Sequence, residues 1–516
     1  MFTAPTDLPD DPATLQLILR AALAEIERLQ LLIAGLQRNR FGRRSEQLDD
    51  EALQQGVEDL EQSVAEQVAG LEAAASPEAD ADRRRAKPVK RNRGALPAHL
   101  PRVEVVVDVD DKACPCCGGG LHRISEDSAE MLDYVPAQLR VRVIRRPRYG
   151  CRVCEGAVVQ APAPERPIDG GLATEALLAQ VLIGKYSDHL PLYRQSQIFA
   201  RQGVTLDRST LCNWVGRACW WLTPLHELML STVLASPKVF ADDTTLPVLD
   251  PGRGRTKTGR LWCYAVDNRP WQGPGHPAAA YVYSEDRKAD HPALHLAGFR
   301  GLLQVDGYAG FGRLVSADAA TKLAFCWAHT RRKFYDIHVA TKSPLAAEAL
   351  RRIAALYAVE ADIRGQSADE RRQARQQRSQ PLVVAMHAWL TEQLARISGR
   401  STLAQAIRYA LNHWTGLILF LDDGRIELDT NTVERAMRPV ALGRKNALFA
   451  GADSGGRHWA IVATLIQTAK LNDVNPLTWL TDVLERIVSG CTKRNELHSL
   501  LPWIWKNPDP ASVNTG

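Results

Sequence analysis

Three carboxylates in this 516-residue chain stand in surroundings that give them a purpose. Asp242 lies in the run Val239-Phe240-Ala241-Asp242-Asp243-Thr244, and Asp306 ends the apolar stretch Leu302-Leu303-Gln304-Val305. Glu434 sits within Asn431-Thr432-Val433-Glu434-Arg435-Ala436-Met437-Arg438. Carboxylate oxygens suit Mg²⁺ (or Mn²⁺), a hard ion that keeps several waters and binds through a few acids plus substrate phosphate. Two such ions would activate an attacking oxygen and stabilise a leaving one in an in-line phosphoryl displacement. The chain holds 59 acids, so a triplet alone carries little and its context has to carry the rest. Asp243 competes with Asp242 for the first position, because adjacent residues of a strand point to opposite faces.

Such acids need rigid elements to hold them. After Ser236-Pro237 the pattern becomes β, with short strands expected over 239–248, 260–266, 278–283 and 302–306 between Gly, Pro and Asp clusters. Glu434 falls on a helix, where Asn431, Glu434 and Arg438 share a face by their three- and four-residue spacing. A helical insertion over 345–416 accounts for the long separation of Asp306 and Glu434 in sequence. Cys326-Trp327-Ala328-His329 is placed on the strand or loop that follows Asp306. A C-x2-H pair can bind zinc, but no second pair stands beside it, and His329 satisfied by internal hydrogen bonds is the competing reading. Arg331, Arg332 and Lys333 extend it as a basic cluster, and Gly307 and Gly310 would let a DNA backbone come close.

Upstream, Cys114-Pro115-Cys116-Cys117 and Cys151-Arg152-Val153-Cys154 form two C-x2-C knuckles around an alternating, Arg-rich run. Two knuckles bridged by strands read as a zinc ribbon closed by Cys114, Cys117, Cys151 and Cys154 around one structural Zn²⁺. Cys116 or His122 could replace one ligand. Arg140, Arg142, Arg145, Arg146 and Arg148 would give the ribbon a basic face. Downstream, a helix over 195–202, a turn at Gly203-Val204 and a helix over 207–214 resemble a helix-turn-helix, with Asp207 as N-cap and Arg208 and Asn213 toward DNA.

The first third is patterned by charge. Leu15, Leu19, Ala22, Ile26, Leu29, Ile33 and Leu36 make about three heptads, which want a partner helix or a face of the same protein. Segment 46–82 holds twelve acids and no Lys or Arg, and the basic block of 83–93 follows at once. Arg83, Arg84, Arg85 and Arg91 would track a phosphate backbone through counterion release, or else form a solvated linker. Net charge is only +5, so its distribution matters more than its sum. No signal-peptide pattern or membrane-length apolar run is present, and ten Cys without a secretion signal fit a reducing compartment.

The stretches ADDTTLPV (241–248), LLQVDGYAGF (302–311), CWAHTRRKF (326–334) and NTVERAMRPVALGRKNALFAG (431–451) resemble transposases of the insertion sequence 66 family. FGRRSE (41–46), GKYSDHLPLYRQ (184–195) and AKLNDVNPLTWL (469–480) extend the likeness from about residue 37 to about 487. The resemblance implies a bacterial, cytoplasmic and nucleoid-associated DNA transposase. Asp242, Asp306 and Glu434 would be its catalytic metal ligands, with Asp243 and His329 as accessories. Here Asp243 replaces the Glu that follows the first acid in the family motif. Arg331, Arg332, Arg438, Arg444 and Lys445 are expected near phosphates.

The expected fold is multidomain α+β. Residues 1–45 form a coiled-coil helix and basic arm, 46–100 a linker, 101–165 the zinc ribbon and 166–235 a helical DNA-binding domain. Residues 236–450 form a ribonuclease-H-like core with its insertion, and 451–516 a helical end. Expected partners are double-stranded DNA, further copies of the chain and small accessory proteins of the same element, with no membrane. Two other readings are a zinc-ribbon regulator with a decayed core and a nuclease of the same fold that cuts without joining.

Overall fold

The computed structural model describes residues 96–505, apart from 97, 99, 136–137, 155, 251–253 and 318–320. The heptad segment and Arg83, Arg84, Arg85 and Arg91 lie outside the described residues. No helix among the described residues is long and apolar enough to cross a membrane.

The first unit is a small sheet. Strands β2 (Leu121–Val135) and β3 (Gln138–Cys151) pair antiparallel along their length, β1 (Arg102–Val106) joins β3 in parallel and β4 (Val158–Gln160) pairs with its end. The five arginines of β3 differ from expectation. Arg140 and Arg142 face the buried Asp133, Arg145 meets Glu104 and Glu126, and Arg146 and Arg148 meet Asp127. Register sets part of this pairing, since β2 places Asp133 opposite Arg140 and Asp127 opposite Arg146. The expected basic face is therefore largely neutralised from within.

Helices α1 (Glu175–Tyr186), α2 (Leu192–Arg201) and α3 (Arg208–Leu234) follow. Gly203, at φ +82°, makes the turn before α3. The second helix of the expected pair runs on to Leu234 rather than ending near Trp214. Its Leu211, Cys212, Trp214, Val215, Ala218 and Leu222 are buried in the main core, while Asn213 is exposed and Arg208 half-buried. Asp207 takes the N-cap position without a side-chain capping bond.

The second sheet has five strands: β5 (Lys238–Asp250), β6 (Arg255–Val266), β7 (Ala278–Ser284), β8 (Leu302–Val305) and β9 (Lys322–Phe325). Their order across the sheet is β7-β6-β5-β8-β9. The first three meander antiparallel, and β8 and β9 add in parallel on the other side of β5. Beyond β9 comes a helical body: α4 (Trp327–Thr341), α5 (Pro344–Ile363), α6 (Ala368–Ala374), a π-helical turn (Arg375–Ser379), α7 (Gln380–Arg396) and α8 (Thr402–Asn412). It has its own core around Phe334, Ile353, Leu356, Met386 and Phe420. The helical stretch thus begins earlier than 345: Cys326, expected with His329 on a strand or loop, is the N-cap of α4, and His329 lies in its first turn.

The chain returns through α9 (Asn431–Gly443), α10 (Asp453–Leu471) and α11 (Pro476–Val488). Thr464 and Thr468 of α10 sit one turn apart and hydrogen-bond Ala279 and Tyr281 of β7, which covers the edge of the sheet. One hydrophobic cluster joins α1, α3, α10 and α11 to a face of the sheet, so the expected boundaries at 235 and 450 run through a shared core.

A buried ionic network fastens the helical body to the segment before α9. Arg375, fully buried, grips both oxygens of Glu360 at 2.7 Å and donates to the carbonyls of Phe420 and Ile426. Arg371 bridges Glu360 to Glu427. Removing one side of such a pair leaves an uncompensated charge in the interior. Arg375→Ala should therefore cost about 3–5 kcal/mol in denaturant unfolding, and an unchanged midpoint would contradict the assignment.

Candidate active site and metal centres

Strands β5 and β8 run parallel with Lys238 beside Leu302, Val239 beside Leu303 and Phe240 beside Gln304. Two residues further along each strand direction come Asp242 and Asp306, so the register sets these acids level on neighbouring strands. Alternation points them to the face shared by Phe240 and Gln304. Gly307, at φ +99°, turns the chain away immediately after Asp306. A Cβ at Gly307 would stand 2.8 Å from the Tyr409 hydroxyl, and one at Gly310 would strike the Tyr308 ring. Internal packing alone thus requires glycine at both positions. Asp306 is fixed at its backbone oxygen by the Tyr409 hydroxyl and at Oδ1 by the Tyr308 N–H.

Asp243 has a different environment. Both its oxygens are engaged, Oδ2 by Arg260 at 2.9 Å and Oδ1 by Arg287 at 2.8 Å, and its side chain is buried. Among the described residues, no such cation pairs with Asp242. Burial, the carboxylate of Asp306 and then those of Asp243 and Glu434 push its carboxyl up to about 8, against the N–H of Asp243. A crowded, under-neutralised group of hard oxygen donors is what a divalent cation would relieve, so these residues fit Mg²⁺.

The sign of the coupling gives a test. Asp242 holds its proton in the metal-free folded chain up to about pH 8, whereas the unfolded chain releases it near the ordinary value of 3.8. The folded state binds more protons between these limits, so metal-free stability falls as pH rises through them, by at most about 1.4 kcal/mol per unit. Melting temperature in chelator should drop between pH 6 and pH 8, and Mg²⁺ should raise it more at pH 8. Asp242→Asn should abolish that difference, and an equal Mg²⁺ effect at both pH values in the wild type would contradict the coupling.

Glu434 lies in the first turn of α9, where Thr430 donates to its Oε1 at 3.1 Å. Its placement rests on a residue that sequence reading passed over. Gln304, fully buried in β8, donates to the carbonyls of Glu427 and Asp429 and accepts from the N–H of Glu427. Its amide extends the sheet sideways onto the segment that leads into α9, and so ties the Asp306 strand to the Glu434 helix. An amide inside the run Leu302-Leu303-Gln304-Val305 was the available signal. The N–H of Trp327 donates to the carbonyl of Leu428, which fixes the start of α4 on the same segment.

That junction brings Cys326 and His329 to Glu434: one potential ligand atom from each lies within 4.8 Å of the other two. Cys326 is buried and its thiol is pushed up to about 11 by that burial. Arg331, Arg332 and Lys333 are exposed on the first turns of α4, and Arg438 and Lys445 are exposed on and just beyond α9. Arg444 instead hydrogen-bonds Thr245 on β5, which makes it a brace between α9 and the sheet.

In the ribbon, Cys114, Cys117, Cys151 and Cys154 present sulfurs that all lie within 4.8 Å of one another, Cys114 and Cys154 3.6 Å apart and Cys117 and Cys151 3.5 Å apart. Cys116 and His122 are outside this group. Backbone N–H groups of Cys116 and Cys117 draw the Cys114 thiol down to about 6, and those of Cys154 and Val153 lower Cys151. Four thiols at this spacing, two of them easily ionised, fit a structural Zn²⁺.

A family model described as "Transposase IS66 family" matches residues 170–458, and "zinc-finger binding domain of transposase IS66" matches 111–155. "IS66 C-terminal element" matches 464–503, and "Transposase C of IS166 homeodomain" matches 28–105. Among curated proteins of Sinorhizobium fredii (strain NBRC 101917 / NGR234), the uncharacterized protein y4jD is 53% identical over 421 residues, covering 81% of this chain and 82% of that one. The uncharacterized protein y4qI is 43% identical over 507 residues, covering 96% and 92%, and y4hP is 40% identical over 508 residues, covering 94% and 90%.

Proposed function

Because this chain belongs to the IS66 transposase family, we propose that it binds the ends of a mobile DNA element, cuts them and joins them to a target. The observation that supports this reading is the β5–β8 register, which, continued two residues along each strand, brings Asp242 level with Asp306, together with the like-charge influence of Asp306 and Glu434 on Asp242. A sheet of three antiparallel strands extended by two parallel ones, with acids on its central strand and at the end of its neighbour, supports a ribonuclease-H-like core. In that core Asp242, Asp306 and Glu434 would hold two Mg²⁺ (or Mn²⁺), which when bound supply Lewis-acid stabilisation of the phosphoryl charge.

The chain's own groups do the positioning. Asp243, braced by Arg260 and Arg287, stiffens β5 beside Asp242, which favours Asp242 as the ligand. Gln304 holds the Asp306 strand and the Glu434 helix in one frame. Arg331, Arg332, Lys333, Arg438 and Lys445 offer charge to phosphates around the acids. Water attacks the phosphodiester at the element end and releases a 3′-hydroxyl, which then attacks target DNA in line. Arg208 and Asn213 on α3, the zinc ribbon and the basic block of 83–93 would read or hold the ends. The heptad of residues 15–36 would join copies of the chain on DNA, and small proteins of the same element would assist.

A decayed regulator is disfavoured by the intact acids in their motifs. Incubating the full chain with Mg²⁺ and duplexes carrying the element's ends tests the proposal. Cleaved and joined products are expected. Cleavage without joining would make the protein a nuclease, and binding alone a regulator.

A further inference from the structure

We propose that Cys326, His329 and Glu434 form a second cation site, one that takes Zn²⁺ in preference to Mg²⁺, and that filling it withdraws Glu434 from the other carboxylates. The site itself stands on geometry alone, and its regulatory consequence rests on the transposase reading. One ligand atom from each of the three lies within 4.8 Å of the others, a spread that small side-chain rotations close onto one ion. Cys326 caps α4 and His329 follows three residues later, so both project to one side of the helix start. Glu434 meets them from the first turn of α9.

Three features mark the group as built. The starts of both helices are fixed on one segment, through Trp327 to Leu428 and through Gln304 to Glu427 and Asp429. Nδ1 of His329 is buried and has no hydrogen-bond partner among the described residues. Cys326 is 1% exposed, so its thiol is held inside the group, while the exposed Glu434 leaves the ion a route in from solvent.

The donor set then selects the ion. A thiolate and an imidazole are poor ligands for Mg²⁺, which wants oxygens in near-octahedral array, and good ones for Zn²⁺, which accepts sulfur, nitrogen and one carboxylate oxygen. Three protein ligands leave a fourth position for water. Binding releases the thiol proton to solvent and leaves no change in oxidation state. Because Glu434 belongs to both groups, Zn²⁺ at this site and a complete Mg²⁺ set exclude each other.

The test counts zinc in the full chain after equilibration with Zn²⁺ and removal of free metal, for wild type, Cys326→Ser and His329→Asn. About two ions per chain are expected in the wild type and about one in each variant, the remaining ion being that of the ribbon. Cobalt substitution gives a second readout, since the thiolate-to-cobalt band of this site should vanish in both variants while that of the ribbon persists. About one zinc in all three proteins would overturn the site. Two ions in the wild type without loss of Mg²⁺-driven cleavage would overturn the withdrawal of Glu434. Wild-type chain that never cleaves end DNA under Mg²⁺ would count against the transposase reading and leave the zinc count untouched.

Discussion

Asp242→Asn, Asp306→Asn and Glu434→Gln should each lower end cleavage by about 10³-fold or more, because lost metal-borne charge stabilisation is worth several kcal/mol at about 1.4 kcal/mol per tenfold. Binding to end DNA should change little, since none of these substitutions removes a positive charge. Cleavage on a labelled end duplex and a parallel binding titration separate the two effects. Asp243→Asn serves as the contrast. It leaves Arg260 and Arg287 without their shared carboxylate, so its main effect should be on stability. Inactive Asp243→Asn beside active Asp242→Asn would reverse the choice within the pair.

The second large effect concerns the ribbon. Cys117→Ser or Cys154→Ser should abolish zinc retention at the four-sulfur site and unfold the knuckle end of the β2–β3 hairpin. Structural zinc sites supply folding free energy of about 10–16 kcal/mol in small peptides, far more than this sheet end can replace. Amide exchange should become fast over 113–123 and 149–156 while the five-stranded sheet stays protected. Zinc retained at the four-sulfur site in both variants, or protection unchanged in its absence, would defeat the assignment.

How much of this was legible in the sequence depends on the range over which each feature is determined. The four ribbon cysteines were readable because knuckle spacing is a local property. Strands β5, β6 and β7 announced themselves as apolar runs between turn residues, and the acids were named from motif context. β9 was expected only as a strand or loop at Cys326–His329, because Lys322–Phe325 is four residues long and runs straight into that motif. The full length of α3 was hidden by Pro224, a helix-breaking residue that here stands inside the helix. The pairing of the ribbon arginines, the commitment of Asp243 to Arg260 and Arg287, and the bridge made by Gln304 all depend on partners that only tertiary register selects. The meeting of Cys326 and His329 with Glu434 is of the same kind, spanning more than a hundred residues of sequence.

Counting manganese at the carboxylates tests the core of this account most directly. The full chain, bound to cleaved end DNA and carrying zinc at the four-cysteine ribbon alone, is titrated with Mn²⁺ and followed by electron paramagnetic resonance. A magnetically coupled pair of ions, roughly 3.5–4 Å apart as in two-metal phosphoryl-transfer sites, is the predicted result, lost in Asp242→Asn, Asp306→Asn and Glu434→Gln. Mn²⁺ that binds equally well to the wild type and all three variants would contradict it.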